Sequence, residues 1–223
     1  MAAKFKIIYE DNMLLVADKP AGLLSQGDTS GSDNLLDILK KYLKEKYRKE
    51  GNVFLGLVHR LDRNTSGVIC FARNSKAAAR LSEQFRTNAV ERIYHVVVSA
   101  RPELKSGTLT DFLQKDEKSN VVTTGPAGKK ATLSYTVMQP LNNAALLEVK
   151  ISTGRPHQIR VQLAHAGLPV IGDQKYGKRS AHIKRPAVHA AALRIDHPVT
   201  RKRLQFDSPL PADIKGLVAH AGN

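Results

Sequence analysis

Residues 131–152, ATLSYTVMQPLNNAALLEVKIS, constrain the fold of this chain more than any other stretch. Two runs rich in β-branched and aromatic residues are joined by PLNN alone, with no room for a helix between them. The Asn pair supplies a turn. Strands joined so tightly run antiparallel, because a parallel pair needs a long crossover. Strand-like runs recur at KIIYED, MLLVADKP, GVICFAR, IYHVVVS, HAAALRIDHP and RLQFDSP. Helical patterns are fewer. Residues 33–49 set Leu35, Leu39, Tyr42, Leu43 and Lys46 on one stripe. Residues 75–88 group Ala78, Leu81 and Phe85, with Asn74 or Ser75 as the cap. A third helix is predicted from Pro156 to His165, with Pro156 in its first turn and Gly167 at its end. The polar segment 115–130, KDEKSNVVTTGPAGKK, reads as an exposed loop or hairpin tip. The expected class is α+β: a mixed, largely antiparallel sheet with a few packed helices. No repeat or long linker interrupts it, so residues 1–223 read as a single domain.

Charge narrows the function. The chain carries 35 Lys and Arg against 20 Asp and Glu, a formal net charge of +15. An enzyme for small neutral metabolites has no use for that excess, whereas a nucleic acid partner does. Cys70 is the only cysteine, which rules out an internal disulfide and any two-Cys zinc site and fits a reducing, cytoplasmic setting. It sits in the apolar run VICF and is expected to be buried. The N-terminal stretch MAAKFKIIYEDN has no apolar run long enough for a signal peptide, and no segment approaches a membrane span.

Two stretches concentrate polar groups where apolar ones would be expected. GLVHRLDRNTSG, residues 56–67, places His59, Arg60, Asp62 and Arg63 in a turn between apolar runs. TGRPHQIRVQLAHAG, residues 153–167, puts His157 and Arg160 three apart on one helix face, while Ile159 and Leu163 on the opposite face dock on the sheet. An arginine turned into a cleft calls for a carboxylate, and Asp62 is the candidate. A carboxylate held ionised by a neighbouring cation serves as a nucleophile or a base.

HRLDRNTSG resembles the H-R-L-D-x-x-T-S-G motif of the RluA-type pseudouridine synthases. ADKPAGLL (17–24), IYHVVV (93–98), TGRPHQIRVQLAHAGLPVIGDQKYG (153–177) and HAAALRIDHPVT (189–200) resemble that family's other motifs, in the same order along nearly the whole chain. The resemblance implies the pseudouridine synthase catalytic fold and conversion of uridine to pseudouridine in structured RNA, with no cofactor and no metal. It makes Asp62 the catalytic aspartate, Tyr94 the tyrosine against the target base and Arg160 the arginine paired with Asp62. Arg60 becomes the arginine that helps displace the target nucleotide, with His59 and Thr65 supporting the turn. The partner it implies is a stem-loop of ribosomal or transfer RNA, met by a monomer. Uridine stacked inside RNA must first be flipped out, at a cost of roughly a few kcal/mol. The motif offers one carboxylate, so a two-carboxylate glycosidase scheme does not apply. Attack on C1′ and removal of a ribose proton both stay open.

The chain departs from the family pattern at Gln162, where a second His is common, and at Arg92, where Lys is common; both are expected to bear on RNA contacts. The first sheet-like run begins near residue 5, so no N-terminal RNA-binding domain is expected before it. Residues 175–203 hold nine Lys and Arg with Asp196 as the one acidic residue. They read as a phosphate-binding surface. The RNA-contacting set is therefore expected to be His59, Arg60, Thr65, Arg155, His157, Lys175, Lys184, Arg185, Arg201, Lys202 and Arg203. The rival of a different class is a non-catalytic RNA-binding or ribosome-associated protein, which would not need Asp62, Tyr94 and Arg160 together.

Overall fold

The computed structural model describes residues 5–222. Residues 1–4, part of the N-terminal stretch read as too polar for a signal peptide, lie outside the described residues. Eleven strands and four helices follow in the order β1 (Lys6–Glu10), β2 (Leu14–Lys19), α1 (Leu35–Lys46), β3 (Gly56–Leu57), β4 (Ser66–Ala72), α2 (Ser75–Arg86), β5 (Glu91–Val98), β6 (Ser106–Asp116), β7 (Val121–Thr124), β8 (Lys129–Pro140), β9 (Ala145–Ile151), α3 (Gln158–His165), β10 (Val188–Asp196), β11 (Arg203–Asp207) and α4 (Ala212–Gly222) among the described residues. The α+β expectation holds. None of the described helices is long and apolar enough to cross a membrane.

Two compact units emerge. One runs up to Val90 and takes in Ala192–Ser208; the other comprises Glu91–Ala191 and the residues from Pro209 on. Strand β10 contributes residues 188–191 to the second unit and 192–196 to the first.

In the first unit the strand order is β1-β2-β4-β10, with β3 beside β4 and β11 beside β10. The β1–β2 turn is tied by Asp11, whose Oδ1 accepts the amides of Met13 and Leu14, both at 2.7 Å. Every residue of β4 is buried. Leu14 and Val16 of β2, with Val68, Cys70 and Ala72 of β4, pack against Ala77 and Leu81 of α2 and Leu193, Ile195 and Phe206. Cys70 is buried there as an ordinary small hydrophobe, as expected. The predicted helices are present. Asn34 caps α1 by accepting the Asp37 amide at 3.0 Å, and Asn74 rather than Ser75 caps α2 by accepting the Ala77 amide at 2.8 Å. Leu35, Leu39 and Leu43 form the buried stripe of α1, while Tyr42 and Lys46 reach Glu10.

In the second unit the order is β10-β5-β9-β8-β6-β7. The β8–β9 turn falls at PLNN, closed by the Leu141 amide on the Ala144 carbonyl at 3.0 Å. Segment 115–130 is more regular than its composition suggests. It holds the end of β6, all of β7 and the start of β8, so turns interrupt strands rather than one loop replacing them. Gly128 lets the finger close: a Cβ there would meet the Leu113 backbone at 2.6 Å. Helix α3 starts later than predicted. Pro156 precedes the cap residue His157, which adopts a left-handed φ of +52°. The Gln158 side chain draws the chain into a tight turn by accepting the Thr153 hydroxyl (2.8 Å) and the Arg155 amide (3.0 Å), which delays the helix. Gly167, at φ +75°, ends it as expected.

Candidate active site

The turn carrying Asp62 lies between β3 and β4 and is held from both sides. β3 pairs with β4 only at Gly56–Ala72 and Leu57–Phe71 before the chain turns away. The His59 imidazole then takes over: its Nε2 accepts the Cys70 amide at 2.9 Å. A ring nitrogen that accepts an amide proton is unprotonated, so this contact requires a neutral imidazole. The ring also stacks on Phe85 of α2, with centroids 4.6 Å apart. Two residues on, the buried Leu61 is gripped by Ser25, whose Oγ donates to the Leu61 carbonyl (2.8 Å) and accepts its amide (3.1 Å). The turn itself closes through the Thr65 amide on the Asp62 carbonyl at 3.0 Å, and Thr65 is buried. Asp62 thus sits half-buried between fixed neighbours.

Lys19 provides the far anchor. It is fully buried. Its ammonium donates to the carbonyls of Pro20 (3.1 Å), Leu23 (2.7 Å) and Arg63 (3.0 Å), one acceptor for each of its three protons. The Gly22 amide meets the same Arg63 carbonyl at 2.9 Å. The ADKPAGLL segment and the HRLD turn are therefore one piece of structure. Sequence alone singles out neither Lys19 nor Ser25; the available signal is the ADKPAGLL motif, which contains Lys19 and which Ser25 directly follows. Arg60 is exposed, and among the described residues no hydrogen bond or ion pair holds its guanidinium.

The second unit carries the other two expected catalytic residues. Tyr94, on β5 opposite Val149 of β9, is 7% exposed. Arg92 lies two residues earlier on the same strand face and is also buried, and that burial pulls its pKa below the ordinary arginine value, against the influence of Tyr94. Gly154 makes room for it: a Cβ there would stand 2.9 Å from Arg92 Nη1. Arg160, on α3, closes on a carboxylate that sequence reading had not picked. Its Nε donates to Asp173 Oδ2 at 2.7 Å and its Nη2 to Asp173 Oδ1 at 2.8 Å. Burial alone would raise the Asp173 carboxyl, but Arg160 and the amides of Lys175 and Tyr176 outweigh it and hold the group below the usual carboxylate value. His157 does not share a helix face with Arg160, since it precedes the helix; the two meet instead at Tyr176.

Several expected RNA contacts are committed elsewhere. Gln162, expected to bear on RNA contacts, is wholly buried and donates to the Leu109 carbonyl (3.3 Å), Asp111 (2.8 Å) and the Ala131 carbonyl (3.2 Å). Arg185, expected on the phosphate-binding face, is buried and grips Asp213 of α4 through Nε (2.7 Å) and Nη2 (3.0 Å). His59 and Thr65 are likewise internal supports of the turn. Arg155 Nε donates to the Lys130 carbonyl (3.1 Å), Lys175 Nζ to the Asn120 carbonyl (2.8 Å) and Arg203 Nη1 to the Ala89 carbonyl (2.8 Å). Arg155 is half-buried, while Lys175 and Arg203 remain exposed, as do Lys184, Arg201 and Lys202. The basic segment divides between the units, with residues 175–191 in one and 192–203 in the other.

Comparison with known proteins gives consistent matches. A family model described as RNA pseudouridylate synthase matches residues 13–165. The ribosomal large subunit pseudouridine synthase D of Zymomonas mobilis is 34% identical over 226 residues, covering 95% of this chain and 71% of that protein. The ribosomal large subunit pseudouridine synthase C of Vibrio cholerae is 32% identical over 216 residues, covering 94% and 67%. Among solved structures, human RNA Pseudouridylate Synthase Domain Containing 4 superposes with a TM-score of 0.80 at 25% identity, covering 97% of this chain and 92% of that one.

Proposed function

This chain belongs to the RNA pseudouridylate synthase family, and on that premise we propose that it converts uridine to pseudouridine in large-subunit ribosomal RNA, with Asp62 as the catalytic carboxylate. The single observation carrying the assignment of Asp62 is its turn, locked on one side by Ser25 and on the other by Lys19. A carboxylate that must meet one ribose among many gains from a backbone fixed before the substrate arrives. The relatives' names support ribosomal RNA over transfer RNA.

The roles follow from the geometry and the family. Arg60, exposed two residues before Asp62, enters the RNA stack as the uridine leaves it, offsetting part of the unstacking cost. Tyr94 lies against the extruded uracil. Asp62 acts at the ribose, and the bond from C1′ to N1 breaks. The uracil turns, a bond forms from C5 to C1′, the C5 proton leaves and N1 gains a proton, so the nucleotide's composition is unchanged. Arg160, held on one edge by Asp173, is the arginine that the family resemblance assigns to the reaction. The family match runs from residue 13 to 165, through both compact units, which supports reading residues 1–223 as one catalytic domain. The same reading has the protein act as a monomer in the cytoplasm on an RNA stem-loop.

Mapping pseudouridine in total RNA from cells with and without this protein tests the substrate. Loss of one or a few sites in large-subunit ribosomal RNA is expected. Loss confined to transfer RNA would overturn the ribosomal assignment, and an unchanged map would overturn the activity.

A further inference from the structure

Arg160 is clamped on two sides by residues of the loop that follows α3. Asp173, its side chain 1% exposed, takes Nε and Nη2 side-on at 2.7 and 2.8 Å. This geometry directs the Nη1 end of the guanidinium away from Asp173. The carboxylate is itself pinned to the loop, since Oδ1 also accepts the amides of Lys175 (3.0 Å) and Tyr176 (3.3 Å). The Tyr176 ring lies against the guanidinium, 4.9 Å from its centroid to Cζ. That ring is fixed at its far end. The Tyr176 hydroxyl accepts the Val122 amide of β7 at 2.8 Å and meets His157 Nδ1 at 2.7 Å. The hydroxyl is thus tethered at two points, to the Val122 amide and to the His157 ring. A clamp of this kind removes much of the rotamer freedom of a free arginine side chain before substrate binds.

We propose that Asp173 and Tyr176 are positioning residues for the isomerisation: they act through Arg160, holding its guanidinium edge and face so that the Nη1 end is presented to the reacting nucleotide's site. The inference rests on the reading that Arg160 serves the reaction. Neither residue is expected to touch RNA.

Single-turnover pseudouridine formation at saturating RNA, measured alongside RNA affinity, tests it. Asp173→Asn keeps the shape of the side chain and removes its charge. It should slow the reaction by about tenfold or more while leaving RNA affinity within about twofold. Tyr176→Phe removes only the tether and should slow it by about threefold, and it carries the test alone if Asp173→Asn does not fold. A general structural role predicts the same losses in any background. A positioning role does not: once Arg160→Ala has removed the group being positioned, neither substitution should slow the reaction further. Wild-type rates in the Asp173 and Tyr176 variants, or losses that add fully to that of Arg160→Ala, would overturn the proposal. An Arg160→Ala protein with wild-type turnover would overturn it too, but by removing Arg160 from the reaction, which separates that failure from the others.

Discussion

The residue that does most to shape the Asp62 turn carries no chemistry. Lys19 is an ammonium fully enclosed by protein whose three protons each meet a carbonyl, one of them on Arg63, the neighbour of Asp62. Removing the ammonium leaves those carbonyls buried and short of a donor, at roughly 1–3 kcal/mol for such a group. Lys19→Met, which keeps the chain length, should therefore lower the denaturant midpoint by an amount equivalent to about 2–4 kcal/mol. An unchanged midpoint would show that the turn is held by other means. Asp173 makes a different claim, about pH. Its native carboxyl titrates below the ordinary value despite burial, because Arg160 and two amides favour the ion. The stability this provides is complete above the unfolded value of about 3.9 and is lost as pH falls through the lower native value. The stability gap between wild type and Asp173→Asn should accordingly narrow as pH is taken below about 4.

At the level of elements, what could be read from sequence was local. The helix stripes at Leu35, Leu39 and Leu43, the Asn74 cap and the PLNN turn are set by residues within a few positions of one another. The partners that went unseen are distant in the chain: Lys19 with Arg63, Ser25 with Leu61, Arg185 with Asp213. Helix α4 was missed because Gly216 in its middle weakens the local helical signal, while Ile214 and Leu217 supply the burial that holds it. Strand β6 was missed because its apolar pattern is broken: Asp111 takes an inward position between Leu109 and Leu113, while Phe112 is exposed. Arg185 looked like its basic neighbours for the same reason, since nothing near it in sequence reveals Asp213. The two kinds of cation should separate on substitution. Changing Arg201 and Lys202, both exposed, to Ala should weaken binding to all RNAs alike and reduce the salt slope of log affinity by roughly 0.7–0.9 per contact. Arg185→Ala should leave that slope unchanged and lower stability, because it strands the Asp213 carboxylate and loosens α4. A reduced salt slope in Arg185→Ala would return that residue to the RNA surface.

For the whole molecule, a net charge of +15 and a family match across most of the chain converge on RNA as the partner. The Asp62 turn was legible because HRLDRNTSG packs its polar groups into nine consecutive residues, whereas the clamp on Arg160 depends on how the chain folds after α3. The account stands or falls on the proposal that Asp62, the one carboxylate of HRLDRNTSG, is the catalytic group. The most direct measurement is pseudouridine formation on a large-subunit ribosomal RNA transcript by the wild-type protein and by Asp62→Asn, which keeps size and hydrogen bonding but removes the charge. The variant should bind the transcript with near wild-type affinity and form no detectable pseudouridine. Turnover within about tenfold of wild type would contradict the assignment, because a general base or nucleophile cannot be neutralised at so small a loss.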